Sequence, residues 1–295
     1  MQKIMKRVLL FSFLLPLASL AQTTITKVVN GGPGVGNFNL VVYTPAGVTT
    51  DTVGLVMFPG AGESGTDDTK AFVNGPDYWL KANPAWRPGM VIAFAQTPVP
   101  WGPNRGDRPS FVLAALRELL NGGYHIDKKR FILTGLSYGA GYIFNYMQYA
   151  ADSEYIQPAG VVAMSMAIFG INGNYNAGTD ALAGTDFRWS KVPTWFFCGT
   201  SDPFLQSMVR YVALQQQAGT TIKMMQYAGG HCCWNTQYNP SNSAVNLYPW
   251  IMSQAAIPSV PVVVPPPPVI PKKTILTVTT TYLYSDSTKE TTVKP

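Results

Sequence analysis

The sequence predicts an α/β protein built on a doubly wound, mostly parallel sheet with helices on both faces. Three observations predict it. Short runs rich in Val, Ile, Phe and Met recur at residues 38–43, 53–58, 90–95, 131–134, 161–169, 194–198 and 222–227. Several are apolar at nearly every position, as strands buried on both faces are. Helical spacing separates some of them, and strand–helix–strand repeated in this way builds a parallel sheet with helices packed on it.

The elements follow in order. Residues 1–21 read as a secretory signal peptide: Lys3, Lys6 and Arg7 open it, residues 8–17 are apolar, and Ser19-Leu20-Ala21 puts small residues at the cleavage positions before Gln22. The apolar run is shorter than the roughly 20 residues a bilayer needs, so no membrane span is expected in the mature chain. The location implied is the periplasm, the medium or the cell surface. Residues 22–256 form the α/β domain. Within it, residues 111–120 place Val112, Ala115, Leu116 and Leu119 at helical spacing, and residues 203–217 do the same with Leu205, Met208, Val212 and Leu214. Residues 257–273 are a Pro/Val-rich linker, stiff and extended. Residues 274–295 form a Thr-rich tail with alternating apolar positions and a Ser285-Asp286-Ser287 turn. A lone hairpin does not hold itself up in water, so the tail is mobile, docked on a partner, or the stub of a longer module.

Composition narrows the function. Of 295 residues, 46% are hydrophobic and only 12% charged, which excludes a highly charged disordered chain. The formal charge is +6, but the leader carries three cations and no acids, and the stretch from residue 257 holds four Lys against two acids. The α/β domain is therefore close to neutral, with no basic stripe for nucleic acid. Of the three cysteines, Cys232 and Cys233 are adjacent and Cys198 lies upstream. A bridge from Cys198 to one of that pair is open in an oxidising compartment. Adjacent thiols are badly spaced for a tetrahedral metal, and no metal is expected.

The chemistry starts at Gly135-Leu136-Ser137-Tyr138-Gly139, a G-x-S-x-G after the strand at 131–134 and before a small-residue helical stretch at 140–144. A turn this tight needs glycine on either side, and it lifts the serine hydroxyl clear of the sheet edge. Asp202 stands at the end of the strand at 194–198, just before Pro203, where it also suits a helix N-cap. His231 follows the strand at 222–227 in the loop Ala228-Gly229-Gly230. The only other histidine, His125, precedes the serine's strand and so enters at the opposite edge of the sheet as a turn or surface residue. Ser…Asp…His is the chain order expected of a catalytic triad on such a sheet. The glycine-rich loop Pro59-Gly60-Ala61-Gly62-Glu63-Ser64-Gly65 can supply an oxyanion donor, the N–H of Ala61, beside that of Tyr138. It lacks the lysine of a phosphate-binding loop, which argues against a nucleotide. Trp101 and Trp234 lie on strand-end loops, as cleft walls or as packing aromatics.

The loop at 59–65, the stretch from His125 to Gly139 and the ending Gly230-His231 resemble secreted α/β-hydrolase esterases, in particular the polyhydroxybutyrate depolymerase, feruloyl esterase and dienelactone-hydrolase-like group. The resemblance spans residues 38–250. It implies Ser137 as nucleophile, His231 as base, Asp202 as its partner, Ala61 and Tyr138 as oxyanion donors, and no cofactor. Pro59 departs from the family's His-Gly opening, which leaves open what anchors the loop. Residues 171–190, where this fold often inserts a lid, are short and not amphipathic, so no large cap domain is expected. The expected activity is hydrolysis of polymer-linked or small soluble esters of feruloyl, acetyl or polyester type. A peptidase or acyltransferase on the same scaffold, or a non-catalytic binding protein, are the alternatives.

Overall fold

The computed structural model describes residues 23–32, 35–71, 73–82, 89–98, 108–167, 188, 191–217, 219–256, 281–283 and 289–291. The first of two compact units, residues 1–258, contains one eight-stranded sheet. Its strands are β1 (Thr23–Asn30), β2 (Asn37–Thr44), β3 (Thr52–Phe58), β4 (Met90–Gln96), β5 (Ile126–Leu136), β6 (Gly160–Met164), β7 (Thr194–Gly199) and β8 (Ile222–Tyr227). Their order is β1-β2-β4-β3-β5-β6-β7-β8. Only β2 runs against its neighbours; β3 to β8 are parallel.

Described helices are α1 (Asp68–Ala71), α2 (Asp77–Ala82), α3 (Arg108–Asn121), α4 (Tyr138–Tyr149), α5 (Leu205–Gln217), α6 (Trp234–Tyr238) and α7 (Leu247–Ala256). They cover both faces of the sheet, and the strands show why they had to be apolar throughout. On β5, Phe131 and Leu133 join the cluster packed by α3, α4 and α5, while Ile132 between them joins the one packed by α2, α6 and α7. Successive strand residues point to opposite faces. Each such buried Phe, Leu or Ile contributes roughly 1.5–3 kcal/mol by leaving water. Helix α3 contributes Val112, Ala115, Leu116 and Leu119 to the first cluster, the stripe its spacing predicts.

Several boundaries differ from the sequence reading. β5 is longer than residues 131–134, running from 126 to 136 and so reaching the residue before Ser137. β6 does not extend over 161–169; it ends at Met164, because Ser165 turns to a left-handed φ of 49° and leaves the ladder. Helix α5 begins at Leu205 rather than at Pro203, since Pro203 and Phe204 form a turn closed on Asp202. Strand β1 and helices α1, α2, α6 and α7 are not among the elements the sequence predicts. Arg188, buried, donates to the carbonyls of Tyr146, Met147 and Ala150 at the end of α4 and pairs with Asp152. It thereby satisfies acceptors that a helix C-terminus leaves without intrahelical partners.

In the second unit, residues 259–295, β9 (Thr281–Leu283) and β10 (Lys289–Thr291) pair antiparallel. Residues 1–21, read above as a leader, and 257–273, read as a linker, lie outside the described residues, as does all of 171–190 except Arg188. Among the described residues no helix is long and apolar enough to cross a membrane.

Candidate active site

Strand order reverses between β3 and β5: β4 lies to one side of β3 and β5 to the other. Loops leaving the carboxyl ends of the strands on either side of such a point frame a crevice where open α/β sheets bind ligands. Ser137 sits there, at the end of β5, with φ 52° and ψ −120°. That conformation is costly for a residue with a side chain, about 1–3 kcal/mol, and persists only where the surroundings impose it. The surroundings are backbone. A Cβ on Gly139 would come within 1.8 Å of the Phe58 carbonyl oxygen, and one on Gly135 within 2.7 Å of the Ala140 nitrogen. Ser137 N–H donates to Met164 O at 2.9 Å, and Ser137 O accepts from Gly141 N–H at 3.1 Å. Strand, turn and helix are thus packed main chain to main chain, as glycine at both flanks demands.

Three side chains meet at this point. His231 Nε2 lies 2.8 Å from Ser137 Oγ, and His231 Nδ1 lies 3.0 Å from Asp202 Oδ2. With the ring proton on Nδ1, that N–H donates to Asp202 while Nε2 accepts from the serine hydroxyl. The Asp202 side chain is fully buried and the imidazole is 30% exposed. Asp202 also keeps its turn role, because its Oδ1 accepts the Phe204 N–H at 2.9 Å. One carboxylate therefore orders both the turn before α5 and the imidazole. The two loops are tied to each other as well. Thr200 N–H donates to Tyr227 O and Ser201 N–H to Gly229 O, and a Cβ on Gly199 would strike the Gly230 carbonyl at 2.3 Å.

Ala61 heads a single 3-10 turn, Ala61–Glu63, after β3, and Tyr138 heads α4. The Gly60 end of the first segment lies close to Ser137: a Cβ on Gly60 would lie 3.3 Å from Ser137 Cβ. The glycine loop is anchored without a histidine at position 59. Gln96 donates to Glu63 O at 2.8 Å, Gly65 N–H to Thr97 O at 2.7 Å, and Ser64 and Thr97 hydroxyls meet at 3.0 Å. Asn74 donates to the buried Glu63 carboxylate. Gln96 and Thr97, on β4 and the loop after it, lie more than 30 residues from the glycine loop, so no local signal announces them.

Of the proposed cleft-wall aromatics, Trp101 lies outside the described residues. Trp234 stands edge-on to His231, ring centroids 5.2 Å apart at 87°, with its indole N–H donating to Ser165 Oγ at 2.9 Å. Phe204 also makes a T-shaped contact with the imidazole, at 5.2 Å and 71°. His125 is exposed, before β5, 3.9 Å from Asp51, away from these groups in the fold.

A disulfide from Cys198 is not formed. Cys232 and Cys233 are bonded to each other, and Cys198 is a buried free thiol. Strand alternation explains it: Cys198 points into the core with Phe196, whereas the cysteine pair lies on the exposed loop after β8. Burial, with the Asp202 carboxylate nearby, pushes the Cys198 thiol up to about 12. Such a thiol stays protonated and unreactive. Burial likewise pushes the Tyr227 phenol up to about 12, and its hydroxyl donates to Cys232 O at 2.8 Å.

No family model and no curated protein matches the chain. Solved structures do. A thermostable esterase matches with TM-score 0.58 and 19% identity over 79% of this chain, which spans 63% of that protein's length. A ferulic acid esterase matches at 0.53 and 16%, covering 79% of this chain and 99% of the other. Carboxyl esterase 2 of the mycorrhizal fungus Tuber melanosporum matches at 0.57 and 15%, covering 80% and 86%. Together with the strand order, these similarities show that the chain has the α/β-hydrolase fold.

Proposed function

We propose that this protein is a secreted serine esterase, a carboxylic ester hydrolase working through Ser137, His231 and Asp202. The observation that carries the reading is the unbroken contact from Ser137 Oγ to His231 Nε2 at 2.8 Å and from His231 Nδ1 to Asp202 at 3.0 Å. In this reading Ser137 attacks the ester carbonyl while His231 takes its proton, and Asp202 keeps the imidazole in the tautomer that accepts at Nε2. The N–H groups of Ala61 and Tyr138 receive the developing oxyanion. One such donor is worth about 2.7–4 kcal/mol in other hydrolases. His231 then protonates the departing alcohol and activates the water that releases the acyl group. No cofactor enters these steps.

The esterase names of the structural neighbours, a ferulic acid esterase among them, support an ester as substrate. We place its class among polymer-linked or small soluble esters, and the leader at residues 1–21 takes the protein out of the cytoplasm. The test is turnover of short nitrophenyl esters by the purified protein beside Ser137→Ala. Turnover should fall at least about a thousandfold in the variant, with an unchanged melting temperature. Activity retained by the variant refutes the assignment. A panel of feruloylated, acetylated and polyester substrates then ranks the classes, and N-terminal sequencing of the exported protein should begin at Gln22.

A further inference from the structure

His231 has no strand or helix of its own to fix its side chain. It hangs on the loop after β8; besides the contacts of its two nitrogens with Asp202 and Ser137, among the described residues its ring makes T-shaped contacts with Phe204 and Trp234. Phe204 is set by the Asp202 turn. Trp234 is set by something the proposed reaction does not use: its indole N–H donates to Ser165 Oγ at 2.9 Å. Ser165 is fully buried and holds a left-handed φ of 49°, which a serine seldom adopts. Its own N–H donates to Phe197 O at 2.7 Å, and the residue before it, Met164, accepts the Ser137 N–H. Ser165 is therefore fixed to the same rigid strand ends that hold the nucleophile.

We infer that the Ser165–Trp234 hydrogen bond aims the His231 imidazole at Ser137, making Ser165 and Trp234 positioning residues of the reaction. The inference rests on the esterase reading. The physical reason is a chain of constraint: rigid strand end, hydroxyl, indole, imidazole. A ring resting on a tethered indole cannot rotate off the line to Ser137 Oγ without breaking the tether. Small misplacements of reacting groups are costly in rate.

Two single variants and their combination test this. Trp234→Phe keeps a ring beside His231 and removes the N–H; Ser165→Ala removes the acceptor. For nitrophenyl acetate, each should lower kcat about 10- to 100-fold with KM within about twofold, because the loss falls on the step rather than on binding. Inactivation of Ser137 by a fluorophosphonate, which needs the serine–histidine pair but no ester, should slow by the same factor. The double variant should be no slower than the slower single, as expected of partners in one contact. Should Ser165→Ala fail to fold, Trp234→Phe alone decides by kcat and inactivation rate. Wild-type kcat and inactivation rate in Trp234→Phe overturn the inference. So do losses that multiply in the double variant, or a raised KM at unchanged kcat, which would make Trp234 a substrate wall. A wild-type protein inert to the fluorophosphonate removes the esterase reading itself, and this inference with it.

Discussion

Ser137 and His231 stand 2.8 Å apart and are held in place by opposite means. The serine is clamped by main chain: β5 before it, α4 after it, and glycines so tight that no Cβ fits. Every residue from Phe131 to Ser137 is buried. The histidine follows β8, an edge strand with only Ile222 fully buried, and is held by side chains: Asp202, Phe204 and Trp234. Backbone packing tolerates no substitution at its glycines. Side-chain restraint can be loosened one partner at a time, with the fold intact.

That contrast can be broken first at the glycines. Gly139→Ala drives a methyl into the Phe58 carbonyl at 1.8 Å, where backbone on both sides leaves nothing flexible to yield. A loss of about 3 kcal/mol or more is expected, read as a lowered urea midpoint or as insoluble protein. Gly230→Ala, one residue before His231, meets nothing nearer than 3.9 Å. It should change the midpoint by less than about 0.5 kcal/mol. Equal losses at the two sites would end the comparison.

On the histidine side the largest expected effect is chemical. Asp202→Asn should keep the fold and lower kcat about a thousand- to ten-thousandfold, because an amide can donate to Nδ1 and favour the wrong tautomer. Steady-state kinetics beside a thermal melt separates the two readouts. Reduction of Cys232–Cys233 should matter far less to stability. Joining adjacent residues removes little freedom from the unfolded chain, so a melt with and without dithiothreitol should differ by about 1 kcal/mol at most.

The smallest effect concerns alkali. In the fold Cys198 keeps its proton up to about 12, against an ordinary value of 9.0, and Tyr146 and Tyr227 rise to about 12 from 10.0. The unfolded chain releases these protons first. Stability should therefore be level with respect to these groups below pH 9.0 and decline as pH climbs from there toward 12. Cys198→Ala removes the earliest contribution, so in urea titrations its decline should begin nearer 10.0, where the tyrosines start.

The same contrast decides what the sequence could reveal. Runs buried on both faces, such as residues 53–58 and 131–134, where the buried Thr134 is met by the Tyr238 hydroxyl, announce themselves because nearly every position is apolar. The serine turn does so because its glycines are required by contacts close in the chain. Asp202 and His231 were legible through their place at strand ends. Strand β1 was not: seven of its eight residues are exposed, and it exists by pairing with β2 from Thr23↔Thr44 to Asn30↔Asn37. Helix α7 was hidden by Pro249, which a helix tolerates only in its first turn. Ser165 carries no local signal at all. It lay inside an apolar run read as one strand, and its partner Trp234 is 69 residues away.

The central claim is that Ser137 becomes acylated with His231 as its base. It is tested most directly by quenching the reaction with nitrophenyl acetate in acid and locating the acyl group by peptide mass spectrometry. The account predicts an acetyl group on the peptide carrying Ser137, lost in His231→Ala under the same conditions. Ester turnover with the acetyl group on another residue, or with none trapped and Ser137→Ala fully active, would contradict it.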